Sequence, residues 1–525
     1  MKLKWHEDLL IFIVAFLFYL ILGAYSSLYR EYLPFDSLAR LVSAWLVLRG
    51  TEVKLATIGF VWPPIPTLLI LPWALVPPLV HSWLAVVIVS ALFMALGCVI
   101  LGRIARYCGV ARGWRLAIVL LFAVNPMIIT FGANGMSEAI LVAITLAACY
   151  WMIRFWRTDR STALILSAGF FGLLPLIRYE FALIAAWSGW LLAVLSWGKR
   201  NQFTPERFRD FLEGRLLAYG SLAIYPIFLW TVASWFVMGN PFYFLANDRT
   251  AISLAEFQIS AFGLVTNPLF ASRVVFGVWT WIFPLGMAAT FGAVVHGLRH
   301  KEEFLIWFGF MPLLIPIVQL LLLSQGASVP LLRYFIIAIP LGLVVSLALF
   351  VKLSPVLKRH RWGIQGFMAG YLAVFILSNI MSGVQLMRYP YQSIERKSWM
   401  ALTTKEPIEN RGFEEAYQIG KILPDIIVEG SRVLIDTTHF GFAIILGAAD
   451  PGLFMDFTDP DYDAALLNPQ GYVDYVIVPS TYQRGAMYSI NMAHKNLHEE
   501  GASWAMYLDV LPETELEWKL YQVKR

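Results

Sequence analysis

Ionisable side chains are scarce along most of this chain, and in five places they interrupt apolar sequence. Asp36 follows the first apolar run. Glu138 closes Asn134-Gly135-Met136-Ser137-Glu138 and opens another run. Arg178-Tyr179-Glu180 splits a third, Asn247-Asp248-Arg249 lies in a connection, and Arg333-Tyr334 opens a run that bears Pro340. An ionisable group at or inside a bilayer is costly, so each is a functional candidate. A carboxylate opposite several arginines suits a reaction on a lipid phosphate. Guanidinium forks bind phosphate oxygens through paired hydrogen bonds. A carboxylate can deprotonate an attacking hydroxyl or hold a metal ion.

Each residue also has a plainer reading. Asp36 is placed to cap a helix through Leu38, Leu41, Val42 and Trp45, and Glu138 to cap the run it opens. Arg178 and Glu180 can satisfy each other. Arg249 can be an ordinary loop charge, and Arg333 can snorkel to lipid head groups. No acidic residue lies within twenty positions of Arg333, so its partner is distant, or is water or an anion. The three cysteines, Cys98, Cys108 and Cys149, match no metal-site spacing and read as small apolar packing residues. His439 reads as a loop residue.

The scaffold that must position these groups is a membrane bundle. Apolar residues make up 59% of 525 and charged ones 14%, with mean hydropathy +0.66; soluble domains carry roughly 25% charge. Residues 385–525 hold 12 basic and 20 acidic side chains, a net of −8, which leaves 28 basic and 15 acidic residues before them, a net of +13. That split points to two compartments and excludes nucleic acid as the partner. Apolar runs of about 17–25 residues predict eleven spans, near 9–24, 82–102, 116–131, 139–155, 162–177, 181–197, 216–238, 273–295, 303–324, 331–351 and 363–384. Basic residues gather in every second connection, at 103–115, 154–160, 199–215, 296–301 and 352–361, and at Lys2 and Lys4. The positive-inside rule puts these in the cytoplasm and the acidic tail outside. On that topology Asp36, Glu138, Arg178, Arg249 and Arg333 share the outer face. The stretch opened by Pro63-Pro64-Ile65-Pro66 is read as a short interfacial helix.

The tail has another texture. Segments 432–436 and 472–478 read as buried strands, 413–423 and 488–499 as helices, and 520–523 as a closing strand. Alternating strands and helices predict a small α/β domain over 385–525, appended to a membrane domain over 1–384.

With these residues in view, the chain resembles the GT-C membrane glycosyltransferases, which include the protein O-mannosyltransferases and the lipid A aminoarabinose transferases. Asp36, Arg40, Ala44 and Arg49-Gly50 after a first span resemble that family's first external loop. Trp62-Pro63-Pro64-Ile65 resembles the His-Pro-Pro-Leu stretch that ends it. Asn125-Pro126 through Ser137-Glu138 resembles the second loop, Leu176-Ile177-Arg178-Tyr179-Glu180 the Arg-Pro-Glu turn, and Arg333-Tyr334 the Arg-Tyr before a proline-bearing span. The resemblance covers roughly residues 1–350. There are departures: Ser37 follows Asp36 where O-mannosyltransferases have Asp-Glu, and the nearest acid before the paired prolines is Glu52.

The resemblance implies a polytopic α-helical, GT-C-like protein with a small extracytoplasmic α/β domain, multi-pass in the plasma (inner) membrane with a cytoplasmic N-terminus. It implies transfer of a sugar, with inversion, from a polyprenyl-phosphate carrier to an acceptor hydroxyl on a protein, lipid or glycan at the outer face. Asp36 and Glu138 would be catalytic. Arg333, Arg178, Arg249 and Tyr334 would bind the donor phosphate, supported by Arg40 and Glu180. No cofactor is required by the resemblance, although it admits a divalent metal. The competing class is a transporter or flippase for lipid or polysaccharide. That class often shows internal repeats and mid-membrane charges, and the sequence has neither.

Overall fold

The computed structural model describes residues 2–50, 55–58, 60–246, 255–256, 259–260, 263–359, 363–389, 393–408, 410–481, 485 and 488–524. The chain forms two compact units. One comprises Met1–Arg30, Val61–Ile65 and Val87–Lys405; the other comprises Glu31–Phe60, Pro66–Val86 and Glu406–Arg525. The first long connection thus groups with the C-terminal residues, and the chain from 385 to Lys405 groups with the helices.

The first unit is a bundle of apolar helices. Among the described residues, eight helices are long and apolar enough to cross a membrane, and two bent pairs raise this to ten. The protein is a multi-pass membrane protein. All eleven predicted runs are helical, but two are not straight. The 116–131 run is Arg112–Ala123 and Pro126–Ala133, bent by 63°. Asn125 caps the second piece, its side-chain oxygen accepting from the Met127 and Ile128 N–H groups, with Pro126 in the first turn. The 273–295 run is Pro268–Ile282 and Pro284–His300, bent by 97°. Phe283 precedes a proline, which disfavours the helical conformation, and it takes φ −158, ψ 77. The 162–177 run is shorter than a full span, with Ser161–Leu173 running into a tight turn at Leu174–Leu176. Pro64–Ala74, at 11 residues, rises only about 16 Å, too little to cross hydrocarbon about 30 Å thick. Gly286 and Gly342 let the Pro284–His300 and Ala338–Leu357 helices touch: a Cβ on Gly342 would fall 2.3 Å from the Gly286 Cα.

One end of the bundle is knitted from the basic connections. Glu7 pairs with Arg106, Arg112 and Arg115, and Asp8 with Arg103 and Arg106. Arg157 donates to the Tyr107 carbonyl. Asp159 pairs with Lys199 and Arg215, each at 2.6 Å. Lys352 pairs with Glu302 and sits over the Trp156 ring. The alternation of basic connections therefore corresponds to physical contact at a single end. All three cysteines are buried and free.

The second unit holds a five-stranded sheet in the order β2-β1-β3-β5-β4, with β1 Val433–Leu434, β2 Phe454–Met455, β3 Tyr475–Val478, β4 Ala505–Leu508 and β5 Lys519–Val523. β1 runs parallel to β2 and β3, while β5 is antiparallel to β3 and β4. The predicted 488–499 helix is instead two short ones, Ser489–Ala493 and Leu497–Glu500, broken where His494 takes φ −128, ψ 69. The Phe35–Arg49 helix belongs to this unit. Its Phe35 ring meets Phe440, Phe413 and Phe442 at 5.1, 5.9 and 6.4 Å.

Candidate functional site

Within the helical unit, five of the sequence candidates converge. Arg178 lies in extended backbone (φ −154) just before the Tyr179–Phe181 turn. Its Nη1 donates to Glu138 Oε1 and its Nε to Glu180 Oε1, each at 2.6 Å. The Arg178 guanidinium also covers the Tyr334 ring, 4.8 Å from its centroid, and the Arg333 guanidinium lies 5.4 Å from the same centroid. Two cations thus share one aromatic ring, which attracts both through its negative face. The Arg333 backbone N–H donates to Glu395 Oε1 at 2.7 Å, and Ser393 Oγ donates to the other oxygen at 2.7 Å. The Tyr389 hydroxyl donates to the Pro330 carbonyl at 3.0 Å. The short Leu332–Phe335 helix that presents Arg333 and Tyr334 is therefore tied on two sides.

Burial decides what each member can do. The Glu138 side chain is 0% exposed, Arg178 13% and Glu180 18%. Glu138 opens the Glu138–Thr158 helix, where the positive end of the dipole favours a carboxylate. Ser137, not Glu138, holds the cap position. The second Glu138 oxygen, Oε2, is buried without a hydrogen-bond partner among the described residues. Such a carboxylate is stable only beside its cation. Arg178, with Nε and Nη1 committed to glutamates, is held rigidly.

Asp36 and Arg40 sit on the Phe35–Arg49 helix of the second unit, one turn apart on one face. Asp36 is half-buried and Arg40 6% exposed. The expected capping role fails: Pro34 is the cap residue, and Asp36 lies inside the first turn because the helix starts at Phe35. Arg249 lies outside the described residues. Among the described residues, no three His, Cys, Asp or Glu side chains are grouped to hold a metal ion. Sequence reasoning overlooked Glu395. The available signal was Ser393, a helix cap whose Oγ accepts from the Arg396 N–H, with an acid in the first turn.

Comparison with known proteins bears on the fold. Residues 72–204 match the family described as dolichyl-phosphate-mannose-protein mannosyltransferase. The crystal structure of ArnT from Cupriavidus metallidurans in the apo state matches with a TM-score of 0.56 at 12% identity, over 98% of this chain and 97% of that one. The same protein bound to undecaprenyl phosphate matches with a TM-score of 0.55 at 12% identity, over the same shares. No curated protein sequence matches the chain. The fold is that of the GT-C membrane glycosyltransferases.

Proposed function

We propose that this protein is a glycosyltransferase that moves a sugar from a polyprenyl-phosphate carrier to an acceptor hydroxyl at the outer membrane face, with inversion. The observation that carries the reading is the pair of guanidiniums gathered on Tyr334, one of them locked between buried Glu138 and half-buried Glu180. A fixed, partly desolvated cation pair suits a phosphate that gains charge as its sugar departs. The likeness to a fold seen with undecaprenyl phosphate supports the choice of carrier.

In the proposed reaction Asp36 takes the proton of the acceptor hydroxyl. The acceptor oxygen bonds to the anomeric carbon from the face opposite the carrier. The bond between that carbon and the phosphate oxygen breaks, and its electron pair leaves on polyprenyl phosphate. Arg333 neutralises the departing phosphate, a contact that strengthens toward the transition state. Arg178 and Tyr334 hold Arg333 in place, and Glu138, completely buried, acts through Arg178. Arg40 and Glu180 support these groups, and Arg249 is a further candidate for the carrier phosphate.

The test is transfer by purified protein in detergent, across a panel of polyprenyl-phosphate sugars and acceptors. Group transfer needs no gradient, whereas transport needs two compartments. Asp36→Asn should stay folded and lose about 10²–10⁴ in rate, because the amide keeps the shape but cannot take a proton. Gradient-driven lipid movement in vesicles without any transfer would turn the assignment to a flippase.

A further inference from the structure

A cavity of about 410 Å³ opens at the basic end of the bundle, away from the arginine–glutamate cluster. Arg157 and Lys358 stand at its mouth, beside the Ser354 hydroxyl and the Trp114 indole, and no acidic side chain lines it. Its floor is apolar. Val110, Phe350 and Met368 line it and are 5, 5 and 3% exposed. The same three residues also line a narrower gap that continues past Leu347, Phe367 and Tyr371.

Many of the cations at this end are compensated within the protein. Arg103, Arg106, Arg112, Arg115, Lys199, Arg215 and Lys352 all have carboxylate partners there. Arg157 and Lys358 have none among the described residues. Arg157 is instead held by donation to the Tyr107 carbonyl and by the Tyr107 ring, 4.8 Å from its guanidinium. Two cations without carboxylate partners over an apolar floor are complementary to a molecule with an anionic head and an apolar body. A basic pocket between spans on one membrane side is where lipid phosphates bind.

We infer that this cavity seats the head group of an anionic phospholipid, over its apolar floor. The site is separate from the proposed transfer site and does not depend on that reading. Arg157 and Lys358 grip the phosphate, and Trp114 and Tyr107 provide the interfacial aromatic border common at the bilayer surface.

Native mass spectrometry of the purified full chain tests this, with phosphatidylglycerol, phosphatidylcholine and inorganic phosphate as separate probes. One phosphatidylglycerol should be retained in preference to phosphatidylcholine. Removing each cation, in Arg157→Gln and Lys358→Gln, should weaken it about five-fold, and the two effects should multiply. Ser354→Asp keeps both cations and introduces a negative charge at the mouth, so it should weaken binding as well. Phosphatidylglycerol binding unchanged in all three variants would overturn the assignment, as would equal retention of phosphatidylcholine. Displacement by inorganic phosphate at matched concentration would make it a free-anion site and overturn the lipid reading.

Discussion

The Glu138–Thr158 helix carries an acidic residue at each end, and the two are treated in opposite ways. Glu138 at the N-terminus is 0% exposed and pairs with Arg178, itself 13% exposed. Asp159, just past the C-terminus, is 43% exposed and pairs with Lys199 and Arg215. The helix dipole favours the first carboxylate and opposes the second. At 21 residues the helix is about 31 Å long, so its ends lie one hydrocarbon thickness apart. At the Asp159 end, cations outnumber acids and most keep contact with water. At the Glu138 end a few charges are buried, matched and fixed by residues distant in sequence. The first pattern orients a membrane protein; the second builds a site.

The largest contrast should come from Arg178. Arg178→Ala strands a fully buried carboxylate and should cost about 3–5 kcal/mol, read by thermal unfolding in detergent. Lys199→Ala at the other end should cost far less. If the two losses match, the proposed difference between the ends disappears. Arg178→Met with Glu138→Leu sharpens the comparison. The double variant should regain most of the stability while transfer stays low, since packing is restored but the anchor of Tyr334 and Arg333 is not.

Arg333 should matter to rate and little to folding. Arg333→Ala should lower turnover by about 10²–10³, the usual effect of deleting one donor to a developing anion. Arg333→Lys should recover only part, because lysine keeps the charge and loses the fork. A snorkelling arginine behaves otherwise: lysine would serve nearly as well, and donor binding would not change in either variant. Measuring donor affinity and turnover for both substitutions separates the two roles.

How much of this was legible in sequence depends on range. Apolar run length located the long helices of the bundle, because burial in lipid demands it, but not the polar ten-residue Ile394–Thr403 helix. The breaks at Asn125-Pro126 and Phe283-Pro284 were visible as prolines, but hydropathy averages across them. The Arg178–Glu180 pair is local and could be read directly. The pairing of Glu138 with Arg178, forty positions on, and of Glu395 with the Arg333 backbone depends on packing that no local pattern encodes. Strands β2 and β4 were missed for different reasons. β2 is two residues long, and β4 exposes Met506 and Tyr507 in succession, so it lacks the alternation of a half-buried strand.

The smallest predicted effect lies at Asp159, and its dependence on pH is what makes it informative. Burial opposes the Asp159 charge, but the hydrogen bonds from Arg215 and Lys199 outweigh it and hold the carboxyl below the ordinary aspartate range. A carboxyl lowered by folding adds stability at and above its unfolded value. That contribution fades as pH falls through the lower folded value, where the native state too takes up the proton. Because the side chain is substantially exposed, solvent screening limits the effect to about 1 kcal/mol or less. Asp159 has φ 54, a left-handed backbone that asparagine also tolerates, so Asp159→Asn removes the charge without straining the turn. The wild type should be slightly more stable than this variant near neutral pH, and the gap should close on acidification. Added salt should narrow it as well, since these charges are open to screening. A gap that stays constant across pH and salt would mean that Asp159 acts through shape alone. The acidic residue at this end would then have no electrostatic role to set against that of Glu138.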